Sequence, residues 1–212
     1  MTDTTTITRQ AGAHTLTATA STQFSQMVED ILGVLQGQQD NLRDGYVLQF
    51  GWGPIFLEED PDGALRLRTP DYSGDALNER TDDLSGAIAI QISQMWLPQA
   101  AGVRPTHVDF FTEALIQRGW REREDFEASR EVAKHEAYSG WFICDTTERD
   151  TPYPRDEIEK VELWEVIQHR PQLAQILQLP PDTLTILLDG TVHRVLNLDE
   201  DNELLYEDTD TA

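Results

Sequence analysis

The sequence predicts an α+β protein of mainly antiparallel sheets with flanking helices, built as two small modules packed together. Short segments of alternating apolar and polar residues, separated by strong turn sequences, predict the sheets. Longer segments with apolar residues three and four positions apart predict the helices. A dense run of charged residues at 121–135 divides the chain of 212 residues, which is long enough for two cores.

The N-terminal module is predicted over residues 13–125 and follows a threonine-rich, flexible N-terminus at 1–12. Residues 14–21 alternate as a half-buried strand does. A helix is predicted after this strand, because apolar side chains recur at helical spacing behind a serine or threonine cap. Its apolar positions are Phe24, Met27, Val28, Ile31, Leu32 and Leu35.

Antiparallel strands are predicted over residues 46–71, joined by a tight turn. In that turn Pro61 fixes φ, and Gly63 tolerates the left-handed conformation that closes it. Leu65 and Leu67 alternate with arginines on the returning strand, so one face of this strand is solvated.

Two further helices complete the N-terminal module. The first is predicted over 81–97, with a threonine or aspartate as its cap and Pro98 as its stop. The second is predicted over 107–120, where apolar residues share one face and Gly119 ends the helix. The charged run at 121–135 indicates a linker or an exposed helix, and the module boundary is placed there.

The C-terminal module is predicted over residues 130–200 and is followed by an acidic tail at 201–212. A strand is expected to begin near Trp141. A helix over 163–176 is interrupted by a proline, and a hairpin turns at Asp189-Gly190.

The only cysteine, Cys144, lies nine residues after His135, so a nucleophile with its base is the sharpest catalytic hypothesis. A catalytic thiol needs an accessible position and a lowered pKa. A strand that begins at Trp141 instead places Cys144 beside Phe142 on one face, where a thiol fills apolar space. Asp145 would raise the pKa of that thiol further. The sequence therefore predicts no catalytic role for Cys144.

No other pattern of residues indicates an active site, a cofactor or a metal. The five histidines show no i, i+4 pairing, and neither HExxH nor CxxC is present. The nucleotide and dinucleotide loops and the common serine motifs are also missing from the sequence. We therefore predict a protein that is not an enzyme and that binds no cofactor.

The charge of the chain restricts its partners. Its formal net charge is −23, and residues 145–212 hold 17 acidic but only five basic residues. Such a field repels nucleic acid and anionic membranes and attracts a basic protein. The start of the chain has no signal-peptide pattern, and no apolar run is long enough to span a membrane, so a cytoplasmic location is expected.

The stretch SGWFICDTTERD, followed by LWEVIQHRPQLAQILQLPPDTLTILL, resembles the C-terminal domain of bacterial immunity proteins from polymorphic-toxin systems. The matching features are a turn at Ser139-Gly140-Trp141 that opens a strand, a helix at 163–176, and Leu179-Pro180 before the last hairpin. The resemblance covers residues 130–198, and residues 48–77 are similar to a module found ahead of that domain in some relatives.

The resemblance implies a binding protein that neutralises one secreted toxin without catalysis, and the acidity favours a basic toxin. Two other interpretations are open: an acidic nucleic-acid mimic or general adaptor, and an enzyme with an unrecognised active site. Aromatic anchors among carboxylates are the expected contacts. We predict that Trp52, Glu58, Glu59, Asp60 and Asp62 contact the partner on one hairpin, with Tyr153, Asp156, Glu157 and Glu159 on the second module.

Overall fold

The structure is a computed structural model that describes residues 3–148, 151–199 and 202–209. The chain divides into two compact units, Met1–Gln91 and Ile92–Ala212, and each is described by itself. This division lies well before the boundary that the sequence suggested near 125–130. The charged run at that boundary contains a strand of the second unit, so it does not link two domains.

The first unit forms, among the described residues, a six-stranded sheet with one helix packed on it. The sheet order is β1-β2-β5-β4-β3 with β6 on β5, and only β2 and β5 pair in parallel. The elements are β1 (Thr4–Ala11), β2 (His14–Ser21), α1 (Ser25–Gln36), β3 (Val47–Phe50), β4 (Gly53–Glu59), β5 (Leu65–Pro70) and β6 (Arg80–Thr81).

Helix α1 closes the core of the first unit, as its apolar spacing predicts. Val28, Ile31, Leu32 and Leu35 are buried, and the helix packs against β1 and β2. The predicted cap is wrong, because a short 3-10 helix at Thr22–Phe24 precedes α1 and no side chain caps either helix. The burial of the apolar stripe, rather than a capping bond, positions this helix.

The flexible N-terminus predicted at 1–12 is also wrong for its described residues. Strand β1 pairs with β2 along its whole length, from Thr4 opposite Ser21 to Ala11 opposite His14. The threonines alternate with partly buried side chains, which suits a β-branched residue on a pleated surface. Residues 1 and 2 lie outside the described part of the chain.

Helix α2 spans Ser85–Ala100, so the predicted helix is confirmed but its stop is not at Pro98. The helix continues two residues beyond this proline, since Pro98 lies in the last turn. Gly102 then adopts a left-handed φ of +66°, and the N–H of Val103 bonds to the carbonyl of Pro98. A glycine in this conformation is a common helix end.

The second unit forms a seven-stranded sheet within the described residues, in the order β10-β7-β9-β8-β11-β12-β13. All neighbouring strands are antiparallel except β7 and β9. The elements are β7 (Glu113–Gln117), β8 (Phe126–Arg130), β9 (Tyr138–Cys144), β10 (Ile158–Glu162), α3 (Leu163–His169), a 3-10 helix (Pro171–Ile176), β11 (Thr183–Leu188), β12 (Thr191–Asn197) and β13 (Glu203–Glu207).

Two segments of the second unit are strands where the sequence predicted other structures. The helix expected over 107–120 contains β7, in which Ala114 and Ile116 are buried while Leu115 is exposed. The charged run after it contains β8, with every second residue buried. Both strands lie between neighbours in the sheet, and this pairing outweighs their helix-like composition.

The C-terminal part of the second unit follows the sequence prediction closely. The interrupted helix is α3 followed by the 3-10 helix that begins at Pro171. The hairpin of β11 and β12 turns at Asp189-Gly190, both with left-handed φ. The predicted acidic tail contains β13, which pairs with β12, and residues 201 and 210–212 lie outside the described residues.

Candidate partner-binding site

The Ser139-Gly140-Trp141 motif lies inside β9, so the turn that was expected to open this strand is instead part of the strand. Ser139 and Trp141 are both buried. The Ser139 hydroxyl donates to the carbonyl of Glu113 at 2.9 Å and accepts from the N–H of Trp141 at 3.3 Å. The serine therefore ties β9 to β7, its parallel neighbour.

Gly140 occupies a position that admits only glycine. Its φ is +83°, and a Cβ added there would lie 2.1 Å from the carbonyl oxygen of Glu131. The two backbones approach closely because the N–H of Glu131 bonds to the carbonyl of Gly140 at 3.0 Å. A side chain would separate β9 from the segment after β8.

Trp141 and Arg130 form a buried polar centre on the inner face of the sheet. The Arg130 side chain is 4% exposed and donates to carbonyl oxygens of Ser139, Thr106, Leu177 and Leu179. The Trp141 indole donates to the same Leu177 carbonyl at 3.2 Å. Burial lowers the pKa of Arg130 to about 10.

These contacts fasten the chain after the 3-10 helix to the sheet. The buried motif residues Ser139 and Trp141 thus stabilise the fold, and their side chains are not accessible to a partner.

The Cys144 thiol is buried, as the strand hypothesis predicts, and it shares its face of β9 with Phe142. Its Sγ lies 3.6 Å from the carbonyl oxygen of Glu127. Burial is the main cause that raises the pKa of Cys144 to about 11, and the charges of Glu127 and Asp145 act in the same direction. The thiolate needed for nucleophilic attack is therefore scarce near neutral pH.

The first predicted contact set, on the β4–β5 hairpin, does not form an aromatic anchor. Trp52 is only 1% exposed and stacks on Tyr72, with ring centroids 6.1 Å apart. The prediction that Trp52 is presented to a partner is therefore wrong. Gly51, which precedes Trp52, has a left-handed φ of +58°, and this backbone conformation allows the chain to turn the indole inward.

The acidic residues of that hairpin are partly neutralised by arginines. Glu58 pairs with Arg80 and lies 3.2 Å from the Nε of Arg68. Asp60 bonds to the Nε of Arg66 at 2.6 Å. Glu59 and Asp62 are exposed, and Asp62 accepts the N–H of Ala64 in the turn.

Tyr153, the aromatic residue of the second predicted contact set, lies near the end of β9. The Tyr153 hydroxyl donates to Asp145 at 3.0 Å, and its ring lies 5.5 Å from that of Phe142. Burial raises the pKa of Tyr153, and its bonds to Cys144 and Asp145 raise it further. The tyrosine thereby keeps its hydroxyl proton, which holds the chain after β9 over the sheet.

The three acidic residues of this set differ in their exposure and in their side-chain partners. Glu159 accepts the Trp120 indole N–H at 2.9 Å and lies 3.3 Å from Arg121. Asp156 is exposed, and Glu157 is half-buried. Asp156 therefore presents its charge to solvent, whereas Glu159 belongs to a local network.

An apolar groove runs along the outer face of strands β10, β7 and β9. Register places Lys160 opposite Leu115, and Leu115 beside Phe142. These three residues line two adjoining cavities of about 440 and 600 Å³. Tyr138 closes one end and Tyr153 the other. We call this surface the β9 groove.

The charges around the β9 groove are mostly negative. Lys160 inside it is balanced by Glu113 at 3.5 Å and lies 4.3 Å above the Tyr138 ring. The bordering segments 131–136 and 155–162 carry six acidic and three basic residues. An apolar floor with an acidic border fits a partner that combines apolar and basic side chains.

A model of the Imm33-like domain family matches residues 93–198, half of the chain. The chain belongs to the Imm33-like domain family. This is an immunity-protein family, so the predicted resemblance is confirmed, and the match begins 37 residues earlier than the resemblance at residue 130. No curated protein and no solved structure matches the chain.

The Imm33-like domain contains the whole β9 groove, yet sequence reasoning found only part of it. Tyr153 and Glu159 were predicted, whereas Leu115, Tyr138 and Phe142 were missed. Leu115 was missed because it lies in the segment 107–120, which was predicted as a helix but contains β7. The outward position of Tyr138 and Phe142 was readable from the alternation in β9, which buries Ser139, Trp141 and Ile143.

The described residues form neither a metal-binding cluster nor a helix that could span a membrane. Nowhere in residues 3–148, 151–199 and 202–209 do three histidine, cysteine or carboxylate side chains form a group that could hold a metal ion. The helices in those ranges are also too short or too polar to span a bilayer.

Proposed function

We propose that this protein binds one cognate secreted toxin and neutralises it by occlusion, without catalysing a reaction. The observation that carries the proposal is the Imm33-like match over residues 93–198, which encloses every residue of the β9 groove. An immunity protein acts through a stable contact with its toxin, and a concave apolar surface suits such a contact.

The toxin is proposed to be basic. A net charge of −23 accelerates association with a positively charged protein and disfavours nucleic acid or an anionic membrane as the partner. The excess charge also lies close in sequence to the groove, because residues 145–212 include its β10 border.

Phe142, Leu115 and Tyr153 are proposed as the anchors of the complex. Their side chains line the groove, and aromatic side chains that become desolvated provide much of the binding energy in protein interfaces. The acidic border, which includes the exposed Asp156, directs the toxin and contributes less to affinity.

Capture from lysate of the source organism tests the proposal. Tagged protein is washed at about 0.1 M and about 1 M salt, a contrast that removes exposed charge pairs. We expect one stoichiometric partner to survive the second wash and to be toxic when it is expressed alone. Release of a mixture of basic proteins by salt would instead support the acidic-mimic hypothesis.

A matched pair of variants locates the contact. Phe142→Ala should reduce capture and protection against the partner, whereas Phe111→Ala should leave both unchanged. Phe111 is 55% exposed and is not among the groove residues, so it controls for the loss of a surface phenyl ring. Equal effects of the two substitutions would exclude the groove as the binding surface.

A further inference from the structure

Strand β10 is an edge of the seven-stranded sheet, with β7 as its only strand neighbour among the described residues. The N–H of Arg118 bonds to the carbonyl of Glu157, and the N–H of Leu163 bonds to the carbonyl of Thr112. These two bonds lie at the two ends of the β7–β10 pair. They show which residues of β10 direct their backbone groups toward β7 and which direct them away.

In an antiparallel pair, every second residue exchanges backbone bonds with its partner and the residues between them point away. The register pairs Glu159 with Ile116 and Val161 with Ala114, in phase with the two flanking bonds. The backbones of Ile158, Lys160 and Glu162 therefore point away from β7.

The N–H of Ile158 is already used, because it bonds to the carbonyl of Arg155. The Ile158 carbonyl, both backbone groups of Lys160 and the N–H of Glu162 remain directed outward. These groups form a short row of donors and acceptors of the kind that an added strand can bind.

The same strand forms one wall of the β9 groove. Ile158 and Lys160 line the groove next to Leu115 and Phe142. Residues that face each other in neighbouring strands place their side chains on the same side of the sheet. A strand added to β10 would thus extend the groove with every second side chain.

We propose that the toxin binds through an extended segment that adds to β10 as an eighth strand and carries alternating apolar and basic side chains. This inference rests on the proposed function and specifies its binding mode. The apolar side chains lie next to Ile158 and the groove floor. The basic ones lie on the opposite face of the sheet, on the side of Glu159, and Asp156 and Glu157 add negative charge just before the strand.

Amide hydrogen exchange of the full-length protein, followed by NMR, tests this mode. The probe is a ten-residue peptide of alternating valine and lysine, compared with its valine–glutamate counterpart. With the lysine peptide, we expect slower exchange at the outward amides of Lys160 and Glu162. Exchange at the inward amides of Glu159 and Val161, which already bond to β7, should not change.

A substitution pair separates backbone from side-chain recognition. Lys160→Pro removes one outward N–H, and we expect it to weaken peptide binding about two- to tenfold, the range for one net hydrogen bond. Lys160→Ala removes the same side chain but keeps that N–H, so the peptide should bind Lys160→Ala more tightly than Lys160→Pro, and the difference between the two variants reports the backbone bond.

Three results would overturn the inference: unchanged exchange at Lys160 and Glu162, equal binding of the two peptides, or equal effects of Lys160→Pro and Lys160→Ala. The peptide experiment needs no toxin, so its failure leaves a captured toxin and the proposed function intact. Conversely, a failed capture with a successful peptide experiment would leave the edge strand as a binding site and remove the toxin as its occupant.

Discussion

Individual residues of the Imm33-like domain divide into those that build the fold and those that line the β9 groove. Arg130 shows the first kind: its guanidinium is buried and bonds to carbonyl oxygens, with no carboxylate partner among its described contacts. The cost of burying this charge is offset only while the backbone around Leu177 and Leu179 keeps its conformation. Phe142 shows the second kind, since its ring lines the groove.

Trp141→Ala should destabilise the protein by about 3–5 kcal/mol, because it removes a fully buried indole and its bond to Leu177. The matched control is Trp96→Ala, since Trp96 is 45% exposed and should cost much less. Chemical denaturation of both variants measures the difference. A Trp141→Ala transition that coincides with that of the unmodified protein would contradict the buried placement.

The Cys144 thiol should react slowly with an aromatic disulfide reagent at pH 8 in the folded protein and quickly after unfolding. Its raised pKa of about 11 leaves little thiolate at that pH, and its burial blocks access. Cys144→Ser should also keep full protection against the toxin. Loss of protection by a folded Cys144→Ser variant would restore the catalytic hypothesis.

At the scale of elements, β9 is the strand on which the second unit depends. It pairs with β7 on one side and β8 on the other, and it carries the buried motif residues Ser139 and Trp141. Its one unusual backbone position, Gly140, allows the contact with Glu131.

Gly140→Ala should cost more stability than an alanine at a comparable glycine without neighbours. Gly102 is the matched control, because its φ of +66° is also left-handed but a Cβ there would meet nothing within 4 Å. Gly102→Ala should cost about 1 kcal/mol for its conformation alone. In Gly140→Ala the added methyl group also clashes with the backbone of Glu131, so its melting temperature should fall further. Equal decreases in melting temperature for the two variants would contradict this clash.

The elements that were predicted correctly are those with a local sequence pattern, and the elements that depend on long-range pairing were missed. Helix α1 and the two hairpin turns carry local signals, namely apolar spacing and turn residues, and they were predicted correctly. Strands β7 and β8 are short, and their charged or helix-like residues become strands only through pairing with distant segments. Such pairing leaves no mark within a window of ten residues.

The candidate site shows the same limit. Tyr153 was predicted as an aromatic anchor among carboxylates, and the structure places it at the groove. Trp52 was predicted for the same reason but is buried. Leu115 and Phe142 become neighbours only through the parallel register of β7 and β9, which no local pattern specifies.

At the scale of the whole molecule, charge is the dominant property. The net charge of −23 acts over distances of about the Debye length, which is about 10 Å at 0.1 M salt. It therefore influences how fast a partner arrives more than how tightly it is held.

The association rate constant with the captured toxin should fall about tenfold or more between about 0.05 and 0.5 M salt, while the dissociation rate changes little. Stopped-flow fluorescence measures both rates. Removing charge at the groove border, with Glu136→Gln and Asp156→Asn, should slow association more than Glu59→Gln with Asp62→Asn on the other hairpin. A rate constant that is independent of salt would exclude electrostatic steering.

The two faces of the seven-residue strand β9 differ in what their side chains contact. Ser139 and Trp141 face inward and stabilise the fold, while Tyr138 and Phe142, which flank them in the sequence, face the groove. Substituting an outward residue therefore changes what the groove accepts and leaves the inward contacts in place. On the proposed function, a few outward replacements would redirect the same scaffold to a different toxin, so the domain would be a practical starting point for engineering new inhibitors.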